Sequence, residues 1–268
     1  MEYVLLCATG MVAGLLGGLL GIGGSVIMIP AMVWIFESVL AKPENVHQYQ
    51  GAAMIVNFLL AGASVIRHRE AKAIYVNVWK YLAPAALAGI ALGVGISRLR
   101  IFTGENEYYM RAIFGVLLVY VAAYNIWKMR SGHSEGISAE EAERVSRATK
   151  AGVGFPTGFA AGLLGIGGGA FAVPALQLVL RLPLRNAIAT SATTIFSVSW
   201  FGAVIKNSSL GSDGTVVRSL VLAGILAPTA VIGSYIGGRL THVLPLRIVR
   251  GAFIGLMIVA AAKMFGWF

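Results

Sequence analysis

The sequence predicts an all-α polytopic membrane protein made of two inverted repeats, each a glycine-broken helical hairpin followed by three transmembrane helices. Three observations carry that prediction. Of 268 residues, 57% are hydrophobic and 12% charged, and apolar runs of about 20 residues, enough to cross ~30 Å of hydrocarbon, recur from end to end. The string Leu19-Leu20-Gly21-Ile22-Gly23-Gly24 returns 144 residues later as Leu163-Leu164-Gly165-Ile166-Gly167-Gly168. Finally, basic residues segregate to one side only if both glycine-rich segments turn back on themselves.

The repeat covers the chain. Gly14, Gly18 and Pro30-Ala31 match Gly158, Gly162 and Pro174-Ala175, and Ala83-Pro84, Gly89 and Gly93 match Ala227-Pro228, Gly233 and Gly237. At an offset of 139, Ile66-Arg67 meets Ile205-Lys206, and Arg111 with Phe114 meets Arg250 with Phe253. Such glycine- and proline-interrupted segments at corresponding places in two halves point to the substrate site of a secondary transporter. Continuous apolar runs exclude a β-barrel, whose strands alternate apolar and polar residues.

The predicted segments are 3–36, 49–66, 74–96 and 110–129, then 151–180, 184–205, 216–240 and 246–265. As one helix, 3–36 would be about 51 Å long, too long for one crossing and short for two. Its glycines lie mid-segment, where helix propensity is weakest, so each glycine-rich segment is expected to be a hairpin. With eight simple crossings, Lys and Arg divide 12 to 9 between the two sides. With hairpins they divide 14 to 7, a positive-inside bias that places Arg67, Arg69, Lys72 and 131–150 in the cytoplasm and both termini outside. A single broken crossing with parallel halves is the alternative. The expected units are an N-terminal repeat over 1–130, a cytoplasmic linker over 131–150 and a C-terminal repeat over 151–268. In the linker, Ser138 and Glu141 form a capping-box pattern, and Glu140/Arg144 and Glu143/Arg147 have i,i+4 spacing on one short helix.

The net charge of +10 fits cytoplasmic loops of a membrane protein better than nucleic-acid binding. Cys7 is the only cysteine, so neither an intrachain disulfide nor a thiolate metal cluster is expected. The N-terminal apolar run lacks a preceding basic stretch and has a copy in mid-chain, so it is expected to belong to the mature protein rather than to a signal peptide.

The chemistry is expected at the glycine strings. A helix break leaves backbone N–H groups without partners, and the helix that restarts there points its positive end at the same place, which suits an anion. Gly23, Gly24 and Ser25 in the first half, with Gly167, Gly168 and Gly169 in the second, are the candidates; close helix packing is the competing use of such small residues. A dinucleotide or P-loop site is excluded by context, since no strand precedes and no Gly-Lys-Ser/Thr follows.

Polar residues in the second crossing of each half come next. Gln50, Asn57 and Ser64 share one helix face. Asn57, costly to bury alone, is a candidate cavity residue, whereas Ser64 and Ser199 are expected to bond their own backbone. Thr190, Thr194 and Ser197 also share a face, and Thr190-Ser191 are placed at the start of their helix, where their hydroxyls and that of Thr194 can face a ligand. Every Asp and Glu lies at a segment end or in a loop, unlike the mid-membrane carboxylate of a cation pump. No His/Asp/Glu cluster has metal-ligand spacing, so neither metal nor cofactor is expected. His68 between Arg67 and Arg69 is expected in a basic loop, and Trp34, Trp79, Trp127 and Trp267 at the membrane interface.

The two glycine motifs with Pro30 and Pro174, Ala189-Thr190-Ser191, and Gly233 and Gly237 before Arg239 resemble the TauE/SafE family of sulfite and organosulfonate exporters, also called the toluene-sulfonate uptake permease family. The resemblance spans essentially the whole chain. It implies transport of sulfite, sulfonates or related sulfur-containing or carboxylate anions across the cytoplasmic membrane, in either direction. Gly169 stands where the first half has Ser25, so the two half-sites differ. The expected function is a secondary transporter that binds a small anion between the paired breaks and moves it by alternating access. A passive anion channel, a membrane-embedded enzyme and a structural scaffold are the alternatives. The expected partners are the anion and the bilayer, with no nucleic acid.

Overall fold

The computed structural model describes residues 1–41, 45–99, 107–130, 136–211 and 215–267. The first half contains α1 (Glu2–Leu20), α2 (Ser25–Val33) extended by a π-helical turn (Trp34–Val39), α3 (Val46–Glu70), α4 (Val76–Ser97) and α5 (Glu107–Arg130). A short α6 (Ala139–Arg144) leads to α7 (Arg147–Leu164), α8 (Gly169–Leu178), α9 (Leu184–Ser208), α10 (Thr215–Val243) and α11 (Leu246–Met264). Five of these, α1, α3, α4, α9 and α10, are long and apolar enough to cross a membrane. Val116, Val204, Ile232 and Ile258 are exposed on the helix surfaces, a large apolar face that water would penalise and lipid accepts. The protein is an all-α polytopic membrane protein.

Both predicted glycine-rich segments break where expected. α1 ends on Gly21 in the left-handed conformation, and α7 on Gly165 likewise. The segment boundaries otherwise shift by a few residues, with one consequence: α7 begins at Arg147 after Ser146, whose hydroxyl accepts the Thr149 N–H at 3.0 Å. Residues 147–150 therefore belong to a long helix rather than to the linker. The capping box of Ser138 and Glu141 is present, but α6 stops at Arg144, so Glu143 and Arg147 do not share a helix. Glu143 accepts instead from the Asn77 amide, and Arg147 lies over the Tyr81 ring.

Pairing between the halves is reciprocal. Gly10, Gly14 and Gly18 on α1 face Leu226, Ala230 and Ser234 on α10, while Gly154, Gly158 and Gly162 on α7 face Leu82, Ala86 and Ile90 on α4. At each of these six positions an added Cβ would run into the neighbour's backbone carbonyl. Glycine is what lets these helices approach so closely, in the manner of small-residue interfaces in membranes. Every one of these contacts in one half has its copy 144 residues away in the other.

Helix directions follow from the same contacts. α1 runs parallel to α10, and α10 runs parallel to α3, where Gly51 meets Ser219, Ser234 donates to the Leu60 carbonyl and Gly238 meets Ser64. Since α1 and α3 point the same way, α2 and its π turn must run back between them, making α1 and α2 a hairpin. By the corresponding argument α7 is parallel to α4 (Gly154 to Leu82), and α4 to α9, where Tyr75 meets Thr190 and Ser97 meets Lys206. α3 and α9 are antiparallel, with Gly51 at Asn207 and Gly62 at Phe196. Corresponding helices of the two halves thus run in opposite directions along the bundle.

Candidate functional site

The breaks need glycine for their backbone. Gly21 and Gly23 have φ of 62° and 76°, and Gly165, Gly167 and Gly168 have 73°, 69° and 80°, values that a Cβ disfavours. Folding each second helix back on the first brings the two breaks together at the centre. Gly169 packs directly on the backbone of Ile22, and Gly168 faces the Thr157 carbonyl of its own hairpin.

Asn57 lies between the breaks. It projects from the middle of α3 and is 0% exposed. Its Oδ1 accepts the N–H groups of Gly24 at 2.8 Å and Ser25 at 3.2 Å, and its Nδ2 donates to Ser25 Oγ. A Cβ on Gly23 would sit 3.0 Å from Asn57 Oδ1, and one on Gly167 2.5 Å from its Nδ2. One carboxamide therefore touches both breaks. Its oxygen caps α2 from another helix, using the donors that a bare helix N-terminus would offer an anion. The site is closed, with every donor at the first break that has just been named already satisfied.

The hydroxyls on α9 are placed differently. Thr190 lies more than a turn inside α9 rather than at its start, and its Oγ1 accepts the Tyr75 N–H at 3.1 Å. Ser191 Oγ donates to the Gly21 carbonyl at 2.7 Å, tying α9 to the first break, while Thr194 Oγ1 donates to the Thr190 carbonyl in its own helix at 2.9 Å. Gly23, Gly24, Ser25, Asn57, Gly167 and Gly169 thus form one cluster. Ser191 joins it through Gly21, and Thr190 and Thr194 brace its flank. Ser64 bonds back to the Ala61 carbonyl as expected, whereas among the described residues the buried Ser199 hydroxyl has no hydrogen-bond partner.

Two polar groupings were not anticipated. His68 is 0% exposed inside α3, not in a basic loop, with Nδ1 3.1 Å from His242 Nε2. At the opposite end of the bundle, Lys206 is 1% exposed and its Nζ reaches Ser97 Oγ and His47 Nδ1, each at 2.9 Å. The signal that points to Lys206 in the sequence is its match to Arg67 in the repeat; its place near a segment end makes it look like a loop charge. Trp79, expected at an interface, donates to Ser197 Oγ between α4 and α9. Among the described residues no three His, Cys, Asp or Glu side chains are grouped to hold a metal ion.

Comparison with known proteins adds to this geometry. The model of the family described as "Sulfite exporter TauE/SafE" matches residues 6–264. The chain belongs to the TauE/SafE family. A probable membrane transporter protein of Methanocaldococcus jannaschii is 28% identical, with the alignment covering 94% of this chain and 92% of the relative. One from Haemophilus influenzae is 27% identical and covered over 98% of both chains. The probable membrane transporter protein MamO of Paramagnetospirillum magneticum is 28% identical over 98% of this chain, which spans 44% of MamO's length. No solved structure matches. Each of these relatives is named a probable membrane transporter protein.

Proposed function

We propose that this TauE/SafE transporter carries a small oxyanion, a sulfite, sulfonate or related sulfur-containing or carboxylate anion, through the cell membrane by alternating access. The reading rests above all on Asn57, whose neutral amide oxygen fills the N-terminus of α2 while its nitrogen lies against the second break. An anionic oxygen is the stronger acceptor for those same N–H groups, since a hydrogen bond to a charged group contributes about 1.5–3 kcal/mol against about 1 for a neutral one. In this reading the ligand displaces the Asn57 oxygen from Gly24 and Ser25 and is held by Gly23, Gly24 and Ser25 on one side and Gly167, Gly168 and Gly169 on the other. Ser191, Thr190 and Thr194 keep α9 in place behind it.

Burial supports gating rather than a standing pore. Ser25, Asn57, Thr190 and Ser191 are all 0% exposed, so a ligand at the breaks is reached only after one hairpin moves against its neighbours. The opposed helix directions support two inverted repeats, with α6 and the ends of α3 and α9's start on the cytoplasmic side and both termini outside.

The test is counterflow in proteoliposomes. Vesicles loaded with unlabelled sulfite should transiently accumulate labelled sulfite above equilibrium, with saturable rates, and sulfoacetate and acetate should compete according to fit. Flux that neither saturates nor shows counterflow would make the protein a channel, and transport of a neutral solute or a cation would overturn the reading of the site.

A further inference from the structure

His68 and His242 form a pair that the reading of the breaks leaves unused. α3 and α10 run side by side here, with Gly238 against Ser64 and, one turn further on, His242 against His68. His68 Nδ1 lies 3.1 Å from His242 Nε2, and the two rings meet edge to face with centroids 5.3 Å apart. His68 is fully buried, whereas His242 is half-buried and brings the pair close to water at the end proposed to face the cytoplasm. His68 Nε2 has no hydrogen-bond partner among the described residues.

That bare nitrogen assigns the protons. Each neutral imidazole carries one N–H. If His242 donated, the proton of His68 would sit on Nε2 as a buried donor with nothing to accept it, which folded proteins avoid. With His68 Nδ1–H donating to His242 Nε2, only a lone pair on His68 Nε2 is left over, and a further proton has its place there. The surroundings are mostly cationic. Arg67 of α3 is paired with Glu70 at 2.6 Å and lies over the Tyr235 ring of α10. Arg185 at the start of α9 adds a positive charge beside His242, and Arg69 of α3 and Arg239 of α10 are exposed. The stretch of α1 and α2 around the first break carries no titratable side chain. A proton on this buried pair therefore needs a negative charge brought from elsewhere.

An anion at the first break supplies it. Thr241, next to His242, is 0% exposed and donates to the Leu19 carbonyl at 2.8 Å. That carbonyl lies in the last turn of α1, where the helix itself provides no partner, and Ser191 holds the Gly21 carbonyl beside it. The turn of α10 that carries His242 is thus fastened to the same break whose Gly24 and Ser25 N–H groups meet Asn57. We infer that the His68–His242 pair is a proton-binding site linked to the first break, so that a proton is taken up together with the anion. The proton forms an N–H bond at His68 Nε2 and leaves from it when the anion departs; the Nδ1–H bridge to His242 stays in place. Each of the two ligands strengthens the binding of the other. The inference rests on the reading of the breaks as the anion site and adds the ion that travels with the anion.

Titration calorimetry of the purified full-length protein with sulfite, repeated in buffers of different ionisation heat, counts the protons taken up on binding. Sulfite's own protonation is common to all variants and cancels in their difference. The wild type should take up about one proton more per sulfite than His68→Gln or His242→Gln. Its affinity should accordingly rise about ten-fold more than theirs for each unit by which the pH falls. His242 is half-buried, so its variant tests the pair even where His68→Gln does not fold. A proton count in both variants equal to that of the wild type overturns the inference and leaves the breaks standing as the anion site. Proton uptake that depends on His68 but persists with full sulfite affinity in Asn57→Asp overturns the link to the first break, and with it the reading of that break. No sulfite binding by the wild type overturns both.

Discussion

The two glycine breaks share a backbone design but not a chemistry. The first is served by a carboxamide and a hydroxyl, with Asn57 capping Gly24 and Ser25 and Ser25 Oγ accepting from the same amide. In the second, Gly169 replaces that serine and lies directly on the backbone of Ile22. At the α9 position that corresponds to Asn57 stands Phe196, which stacks on Phe58. Duplication thus supplied two equal frames, and divergence made one polar and the other a packing surface. In the proposed reading an anion held between them would be bound asymmetrically, with hydrogen bonds to side chains mainly from the first half and backbone and shape from the second.

The comparison presumes that the halves are opposed in the membrane, and the test of that assumption is all or none. Glu70 and Ser208, at corresponding ends of α3 and α9, are both exposed. In a Cys7→Ser background, a membrane-impermeant maleimide applied to intact cells should label Ser208→Cys and not Glu70→Cys. Equal labelling of both would put the halves in parallel.

Next in size is the polar side of the site. Asn57→Asp keeps the shape but puts a carboxylate on the Gly24 and Ser25 N–H groups, where the positive end of α2 stabilises it. We expect transport to fall by at least a hundred-fold, with thermal stability equal to or above wild type, because the variant carries its own anion. On the packing side, Gly167→Val combines a positive φ with a clash at Asn57 Nδ2, and Gly23→Val meets Asn57 Oδ1. Both should abolish sulfite binding while the protein still inserts. Wild-type transport by either would reduce these glycines to helix packing.

Much of this was legible in the sequence, for physical reasons. Glycine strings and apolar length mark where a helix must break and how far it can run, so α1, α2, α7 and α8 fell where expected. Charge bias pointed to hairpins. Which segments pair was not legible: α1 chooses α10 and α7 chooses α4 through glycines whose spacing announces a close approach but not the partner. Nor was it legible that the break's donors are occupied, because Asn57 is 32 residues from Ser25 and its hydrogen bonds exist only once α3 crosses the hairpin. His68 and Lys206 show the same limit. A charged or titratable residue near a segment end looks solvated until a neighbouring helix covers it.

A smaller effect separates the two frames by the kind of loss. Ser25→Ala removes the acceptor for Asn57 Nδ2 and leaves a buried donor unpaired, a cost of about 1–3 kcal/mol. Affinity for sulfite should drop about ten-fold with the fold retained. Its counterpart Gly169→Ala should instead lower thermal stability, because its Cβ meets the Ile22 carbonyl oxygen at 2.5 Å and close-packed backbone has little room to yield. Loss of affinity without loss of stability in Gly169→Ala would mean that the second frame also binds through specific contacts.

The smallest effect is expected from Thr194, and it tests how far the polar site extends along α9. Its hydroxyl donates to the Thr190 carbonyl one turn back, a bond that a helical threonine makes in a membrane without any ligand. Thr194→Val removes that hydroxyl at nearly constant volume. The Thr190 carbonyl retains its place in the backbone ladder of α9, so no buried group is stranded. Sulfite affinity should change by less than about three-fold, below the 1.4 kcal/mol that a ten-fold change requires. Thr190→Val should act on stability instead, since it strips the acceptor from the Tyr75 N–H at the start of α4. A ten-fold or greater loss of binding in Thr194→Val, with stability unchanged, would show that α9 turns this hydroxyl toward the anion in another state of the cycle. The second half would then contribute side-chain chemistry that its packed frame conceals.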